Sequence, residues 1–362
     1  MLSKALLTKK CLIVCGGGGV GKTTVAASLA LAAAKVRQKV LVVTIDPSKR
    51  LAEAFGFTEQ ALIDGGEPLK LSDEVKIKLG LDPNHELSVG ILNPKYVLEQ
   101  VIAQTLTTDQ AQKLQRTSLY TNLSSMIYGL QEYTAYEWVT RMIQNRDYDF
   151  IVLDTPPAAH AKDFFNVPER VKHLMESKVF QIFLPKKKNW FTKAISFGWL
   201  EKLLGDKIFN ESKVFFEIFT ALRDRVLERC ELLSQFFSNQ DVAVVTVATT
   251  ETSGQFELRG LYQFLQEKRI PLQSILLNQV EMNAEASGGV QLESEVEAMN
   301  PVLYEKLKQL RARQSLKSDL AKKVVMKTTS DYPQVEVVAL PMVYSESGFE
   351  ILKRGAEAIS KV

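Results

Sequence analysis

Cysteine is scarce in this 362-residue chain: Cys11, Cys15 and Cys230 are the full complement. Three are too few for a disulfide framework, and in a reducing compartment they stay thiols. Cys11 and Cys15 fall in one apolar run of strand character, where four residues of strand separate them by about 13 Å on a shared face. That distance excludes a bridge or a common metal ion and makes both core residues. With His85, His160 and His173 equally dispersed, no zinc site is expected. Long hydrophobic runs are also missing. Nothing approaches the ~18 apolar residues of a spanning helix, so no transmembrane segment is expected. A net charge of +3 is too small for a general electrostatic grip on DNA or a bilayer. A nucleic-acid partner is therefore not expected, while a local, peripheral membrane contact stays open. The opening Met1-Leu-Ser-Lys-Ala-Leu-Leu7 has too short an apolar part for a signal peptide, and a cytoplasmic location is expected. Internal repeats and low-complexity tracts are absent, and Glu285–Val290 reads as a mobile surface loop.

What the chain does contain is Gly16-Gly17-Gly18-Gly19-Val20-Gly21-Lys22-Thr23, a match to G-x-x-x-x-G-K-[ST]. The run Cys11–Cys15 before it suits a buried strand, and the Ala- and Leu-rich run Thr24–Ala34 after it suits a helix. A strand, a glycine loop and a helix N-terminus make an anion cradle of backbone N–H groups and helix dipole. In it Lys22 reaches the β- and γ-phosphates and the Thr23 hydroxyl ligates Mg²⁺. Further apolar runs at Lys39–Ile45, Tyr148–Leu153, Asp241–Ala248, Leu272–Leu277 and Gln334–Leu340 alternate with helical stretches. The expected fold is α/β, a doubly wound, mostly parallel sheet. Residues 96–146 and 164–237 lack strand alternation and read as an inserted helical subdomain, leaving 1–95, 147–163 and 238–362 as the ATPase core.

Ligands bind beyond the carboxyl ends of parallel strands, and two acidic residues stand there. Asp46, followed by Pro47, either orients the water that attacks the γ-phosphate or caps the helix that starts there. Asp154 ends Ile151-Val-Leu in the Walker-B manner and holds Mg²⁺, usually through water. Thr155 and His160 follow; His160 is a γ-phosphate sensor or merely structural. Asn278 is positioned to hydrogen-bond a base edge, and Pro341 opens the last loop on the same edge.

In this order the segments, with Gly129-x-x-Glu132, Leu277-Asn278-Gln279 and Leu340-Pro341, resemble the ArsA-type ATPases over nearly the whole chain. That family includes the arsenite-pump ATPase and the guided-entry ATPase that targets tail-anchored membrane proteins. The resemblance implies a homodimer that closes face to face on ATP, uses Mg²⁺ and reshapes a helical groove on closure. By it Asp46 and Pro47 belong to one switch, and Asp154, Thr155 and His160 to the second. Lys22 and Asp46 are catalytic, and residues 16–24, Asn278 and the loop at Pro341 hold ATP or ADP, with Thr24 among the nucleotide contacts. The chain departs from the family in three ways. Gly17 stands where the family has a signature lysine that reaches the partner's nucleotide; without it, a cation for that role could come from the adjacent loop, at Lys49 or Arg50. The C-x-x-C pair that binds zinc between subunits in the family's eukaryotic targeting members has no counterpart, and neither does the pump's thiolate site for soft As(III).

The segment from Phe164 to Phe237 holds 12 of the chain's 18 phenylalanines, with Trp190 and Trp199. Lys186, Lys187, Lys188 and Lys193 cluster beside Trp190 and Phe191. Such helices bind an apolar client or a lipid-like ligand, or else glue the subdomain to itself. The functions in contention are an ATP-driven chaperone or targeting factor, the energising subunit of an anion pump, and a nucleotide-state switch of low turnover.

Overall fold

Eight apolar runs pair into one sheet: β1 (Cys11–Gly16), β2 (Lys39–Thr44), β3 (Leu69–Lys70), β4 (Glu86–Ile91), β5 (Phe150–Asp154), β6 (Val242–Thr249), β7 (Leu272–Val280) and β8 (Glu336–Pro341). The structure, a computed structural model, describes residues 2–45, 49–64, 66–117, 120, 130–156, 164–176, 206–236, 240–282, 300–345 and 347–361. Strand order is β3-β4-β2-β5-β1-β6-β7-β8. All pairings are parallel except the short antiparallel one between β3 and β4. The six expected strands are present. β3 and β4 were not expected, and they extend the sheet beyond β2.

Alternation along each strand feeds two cores. Cys11, Ile13 and Cys15 of β1 face one way, into a cluster with Leu41, Ile151 and Val244. Leu12 and Val14 face the other, with Val42, Val152 and Val245. Both Cys11 and Cys15 are thus buried core thiols on one face, as their spacing requires. The face containing Leu12 is covered by α1 (Leu2–Thr8), α2 (Lys22–Ala34), α3 (Lys49–Ala54), α4 (Glu59–Asp64), α5 (Asp73–Leu79) and α13 (Gly348–Ser360). The face containing Ile13 is covered by α6 (Pro94–Thr105), α7 (Thr108–Gln115), α8 (Leu130–Asn145), α9 (Val167–Met175), α10 (Asp206–Phe236), α11 (Thr252–Glu267) and α12 (Pro301–Asp331). Helices on both faces of a mostly parallel sheet make this a doubly wound α/β fold.

The order reverses at β1. From β1 the chain passes outward to β2 and β4, returns through β5, then crosses to β6 on the other side of β1. The C-terminal end of β1 is therefore the switch point where such sheets bind ligands. α2, which leaves from that point, is buried on every side from Val25 to Ala34. Its small residues let α13 cross closely: a Cβ at Gly355 would stand 2.9 Å from the Cβ of Ser28.

Candidate nucleotide site

The loop at the switch point is shaped by what its glycines lack. β1 ends at Gly16, whose missing side chain lets the Val247 carbonyl of β6 approach; a Cβ would collide with it. Gly21 has φ 85 and N-caps α2 in the left-handed region. A Cβ there would be strained and would also collide with the Asn278 amide. Gly18 and Gly19 have open space on the side where a Cβ would stand, and Val20 is buried beneath them. Lys22, at the first position of α2, is only 8% exposed. Its Nζ donates to the Gly17 carbonyl at 2.6 Å, which holds the ammonium across the mouth of the loop. Thr23 and Thr24 are half-buried on the same first turn.

Asp154 is the last residue of β5, opposite Val14 on one side and Thr44 on the other, and is 1% exposed. Thr155 locks the chain directly after it: its N–H and Oγ1 both donate to the Val14 carbonyl, at 3.2 and 2.9 Å. The Cys15 thiol is pushed up to about 12 by burial, while Thr155 and Lys22 pull it down and Asp154 pushes it further up. Lys22 rests on Gly17, directly after β1, and Asp154 pairs with Val14 of β1, so both charges stand at the end of β1. The Ile45 N–H donates to the Asp154 carbonyl at 3.0 Å, which ties the end of β2 to the same point. Asp46, Pro47 and His160 lie outside the described residues, as do Gly129, Glu285–Val290, Trp190, Phe191, Trp199 and Lys186–188 with Lys193. Arg50 is exposed on α3.

Asn278 was expected directly after its strand but lies within β7, and Pro341 closes β8 rather than opening the loop beyond it. β7 carries an irregularity here. Its register against β8 shifts between Leu277 and Val280, and Gln279 takes φ 57. Such bulges re-aim side chains beside functional sites. The Asn278 Nδ2 donates to the Val20 carbonyl at 2.9 Å, fastening β7 to the glycine loop. Beside this bond opens a cavity of about 220 Å³ lined by Gly21, Thr24, Val25, Asn278, Pro341 and Met342, among others. Sequence reasoning named Asn278 and Pro341 as site residues, and gave Gln279 only as a motif neighbour and Met342 only as part of the loop after Pro341. The positive φ at Gln279 has no signature in residue type, whereas Met342-Val343 directly after an apolar strand was a usable one.

Among the described residues no group of three His, Cys, Asp or Glu side chains could hold a metal ion. No helix there is long and apolar enough to cross a membrane.

A doubly wound sheet with a glycine loop, a buried lysine and a strand-end aspartate at its switch point defines a P-loop NTPase. Within that class, a sequence model of the family described as Anion-transporting ATPase matches residues 9–361, and the chain belongs to this ArsA ATPase family. The protein called ATPase get3 of Schizosaccharomyces japonicus is 26% identical over 356 residues, covering 97% of this chain and 90% of that protein. ATPase GET3 of Mycosarcoma maydis is 26% identical over 275 residues, covering 75% and 73%. ATPase ASNA1 homolog 2 of Paramecium tetraurelia is 25% identical over 273 residues, covering 75% and 76%. The chain is an ATPase and binds nucleotide.

Proposed function

We propose that this ATPase binds Mg·ATP with its phosphates in the loop Gly16–Thr23 and its adenine in the cavity beside Asn278, and that it couples turnover to a groove among its helices that handles an apolar client. The observation that carries the nucleotide pose is the Asn278–Val20 bond, which joins the loop to the cavity wall. One Nδ2–H of Asn278 goes to the Val20 carbonyl, and its Oδ1 can accept from the exocyclic amine of adenine. Val25, Leu340, Pro341 and Ile351 supply apolar walls for the base.

The residues suit Mg²⁺: a hydroxyl at Thr23 and a buried carboxylate at Asp154 are hard oxygen donors. When bound, the ion neutralises charge on the β- and γ-oxygens. Lys22 holds the terminal phosphates, and Asp46 orients the attacking water or takes its proton. Asp46-Pro47 and Asp154-Thr155-His160 act as the two switches, within a homodimer that closes on ATP. Helices in 96–146 and 164–237 form the client-handling subdomain, and the client is a tail-anchored or other hydrophobic protein or a lipid-like ligand.

The second reading, an energising subunit for anion transport, takes its support from the family description. Against an arsenite-like substrate stand three separate buried thiols, with Cys15 and Cys230 both pushed up to about 12 by burial. Such thiols are neutral, whereas As(III) needs clustered thiolates.

The test is Asp46→Asn, which should retain ATP and lower turnover by a factor of roughly 10²–10⁴. Loaded with ATP, that variant should bind a labelled apolar helical peptide with an affinity different from its ADP form. A fall in turnover under about threefold would make Asp46 a helix cap instead. Peptide binding that ignored the nucleotide would favour the transport reading.

A further inference from the structure

The space beside Gly17, the second glycine of the loop, is filled. A Cβ built on Gly17 would overlap the Glu257 carboxylate oxygen and stand 2.8 Å from its Cδ. Glu257 lies in the second turn of α11, and helical side chains lean toward their own N-terminus, here toward the glycine loop. The start of α11 is held tightly against β6, since a Cβ on Gly254 would stand 2.9 Å from the Thr249 nitrogen. β6 in turn pairs with β1 through Val247 and Gly16. The carboxylate is thus delivered to Gly17 by the sheet itself. Among the described residues Glu257 makes no hydrogen bond or ion pair, and it is exposed, so packing alone does not account for it.

Lys22 identifies which end of the cradle this is. Its ammonium serves the β- and γ-oxygens of a bound nucleotide, and it rests on the Gly17 carbonyl. Gly17 therefore marks the γ-phosphate end. We propose that Glu257 is a specificity residue that sets the preference between tri- and diphosphate: its negative charge at the γ end weakens ATP relative to ADP. The inference rests on reading residues 16–23 as the phosphate cradle. A diphosphate places no charge at that end, whereas a triphosphate places its terminal phosphate there, beside a like charge. The glycine at 17 is what makes room for the carboxylate. A lysine at that position would displace it and reverse the sign of the local field.

Two variants remove the charge without touching the loop. Glu257→Gln keeps the shape of the side chain, and Glu257→Ala removes the carboxyl group altogether. Titration calorimetry with a non-hydrolysable ATP analogue and with ADP, each with Mg²⁺, reads the effect. Both variants should bind the ATP analogue about fivefold more tightly, with ADP changing by less than about twofold. In the unmodified protein, the advantage of ADP should shrink as salt screens the charge. If the two nucleotides shifted equally, or neither shifted, the inference would be wrong while the cradle stood. Binding of neither nucleotide by the unmodified protein would remove the cradle and the inference together.

Discussion

Lys22 combines two properties that oppose each other in water: it carries a charge and it is nearly buried. An ammonium in such a place needs an oxygen partner, and the Gly17 carbonyl at 2.6 Å provides one. The bond keeps the ammonium across the opening of the glycine loop, so a phosphate exchanges with a carbonyl already in position and little side-chain entropy is lost on binding. Charge-assisted bonds contribute about 1.5–3 kcal/mol each. Losing two of them on Lys22→Ala should lower affinity for an ATP analogue by roughly 10²-fold or more. Titration calorimetry checks this, and an unchanged affinity would mean that the phosphates bind elsewhere. Gly21 is a second residue whose identity is dictated twice, by its backbone angle and by the Asn278 side chain pressed against it.

Between elements, the helical layer is joined by an ion pair with little water around it. Arg229 of α10 donates from Nε and Nη2 to the two carboxylate oxygens of Glu137 on α8, both at 2.8 Å. The side chains are 11% and 8% exposed. The hydrogen bond from Arg229 to Glu137 raises the guanidinium's pKa further, and burial works against it. Removing one partner leaves the other charge buried, so Glu137→Ala should cost of order 3 kcal/mol. Replacing both by apolar residues of like size should cost much less. Urea unfolding of the single and paired variants separates these outcomes, and equal losses would mean that burial of charge is not the issue. The strands legible in the sequence were those apolar on both faces, such as β1 and β5. β4 was missed because its second face is built from Ser88 and Gly90. Ser88 is fully buried, and Gly90 lies against Pro68 and Val43, yet both read as loop, although Leu87, Val89 and Ile91 alternate as a strand should. β3 is two residues long and carries no period. The phosphate loop was legible because eight contiguous residues encode it. The cavity beside Asn278 was legible only in Asn278 and Pro341, because β7, β8, α2 and α13 each contribute one wall and only the fold brings them together.

At the scale of the whole molecule, the proposed homodimer is expected to close without a zinc clasp, since the sequence has no C-x-x-C pair. Metal analysis of the purified protein is expected to return no stoichiometric zinc, because a structural site needs four clustered ligands; one zinc per dimer would restore the clasp. The proposed coupling between nucleotide and helices would run through one continuous core. The core around Ile13, Ile151 and Leu153 runs without a break into Tyr136, Phe164, Phe215 and Ile218. Phe164, ten positions after Asp154, stacks on Tyr136 with ring centroids 4.4 Å apart. The Tyr136 hydroxyl also donates to the Phe164 carbonyl at 3.0 Å. Three residues beyond the neighbouring Asn166, Glu169 accepts from Lys268 at 2.8 and 3.0 Å. Both ends of the segment that leaves Asp154 are therefore fixed, one at the nucleotide site and the other in the helical layer. A densely packed layer has discrete arrangements rather than a continuous range, so a shift at Asp154 should move α8 and α10 together. Hydrogen exchange should accordingly differ over Leu130–Asn145 and Asp206–Phe236 between the ATP-trapped Asp46→Asn protein and its ADP form, with an apolar helical peptide increasing protection in one state only. Exchange that was identical in both helices, with and without peptide, would leave a rigid subdomain whose aromatics serve only its own core.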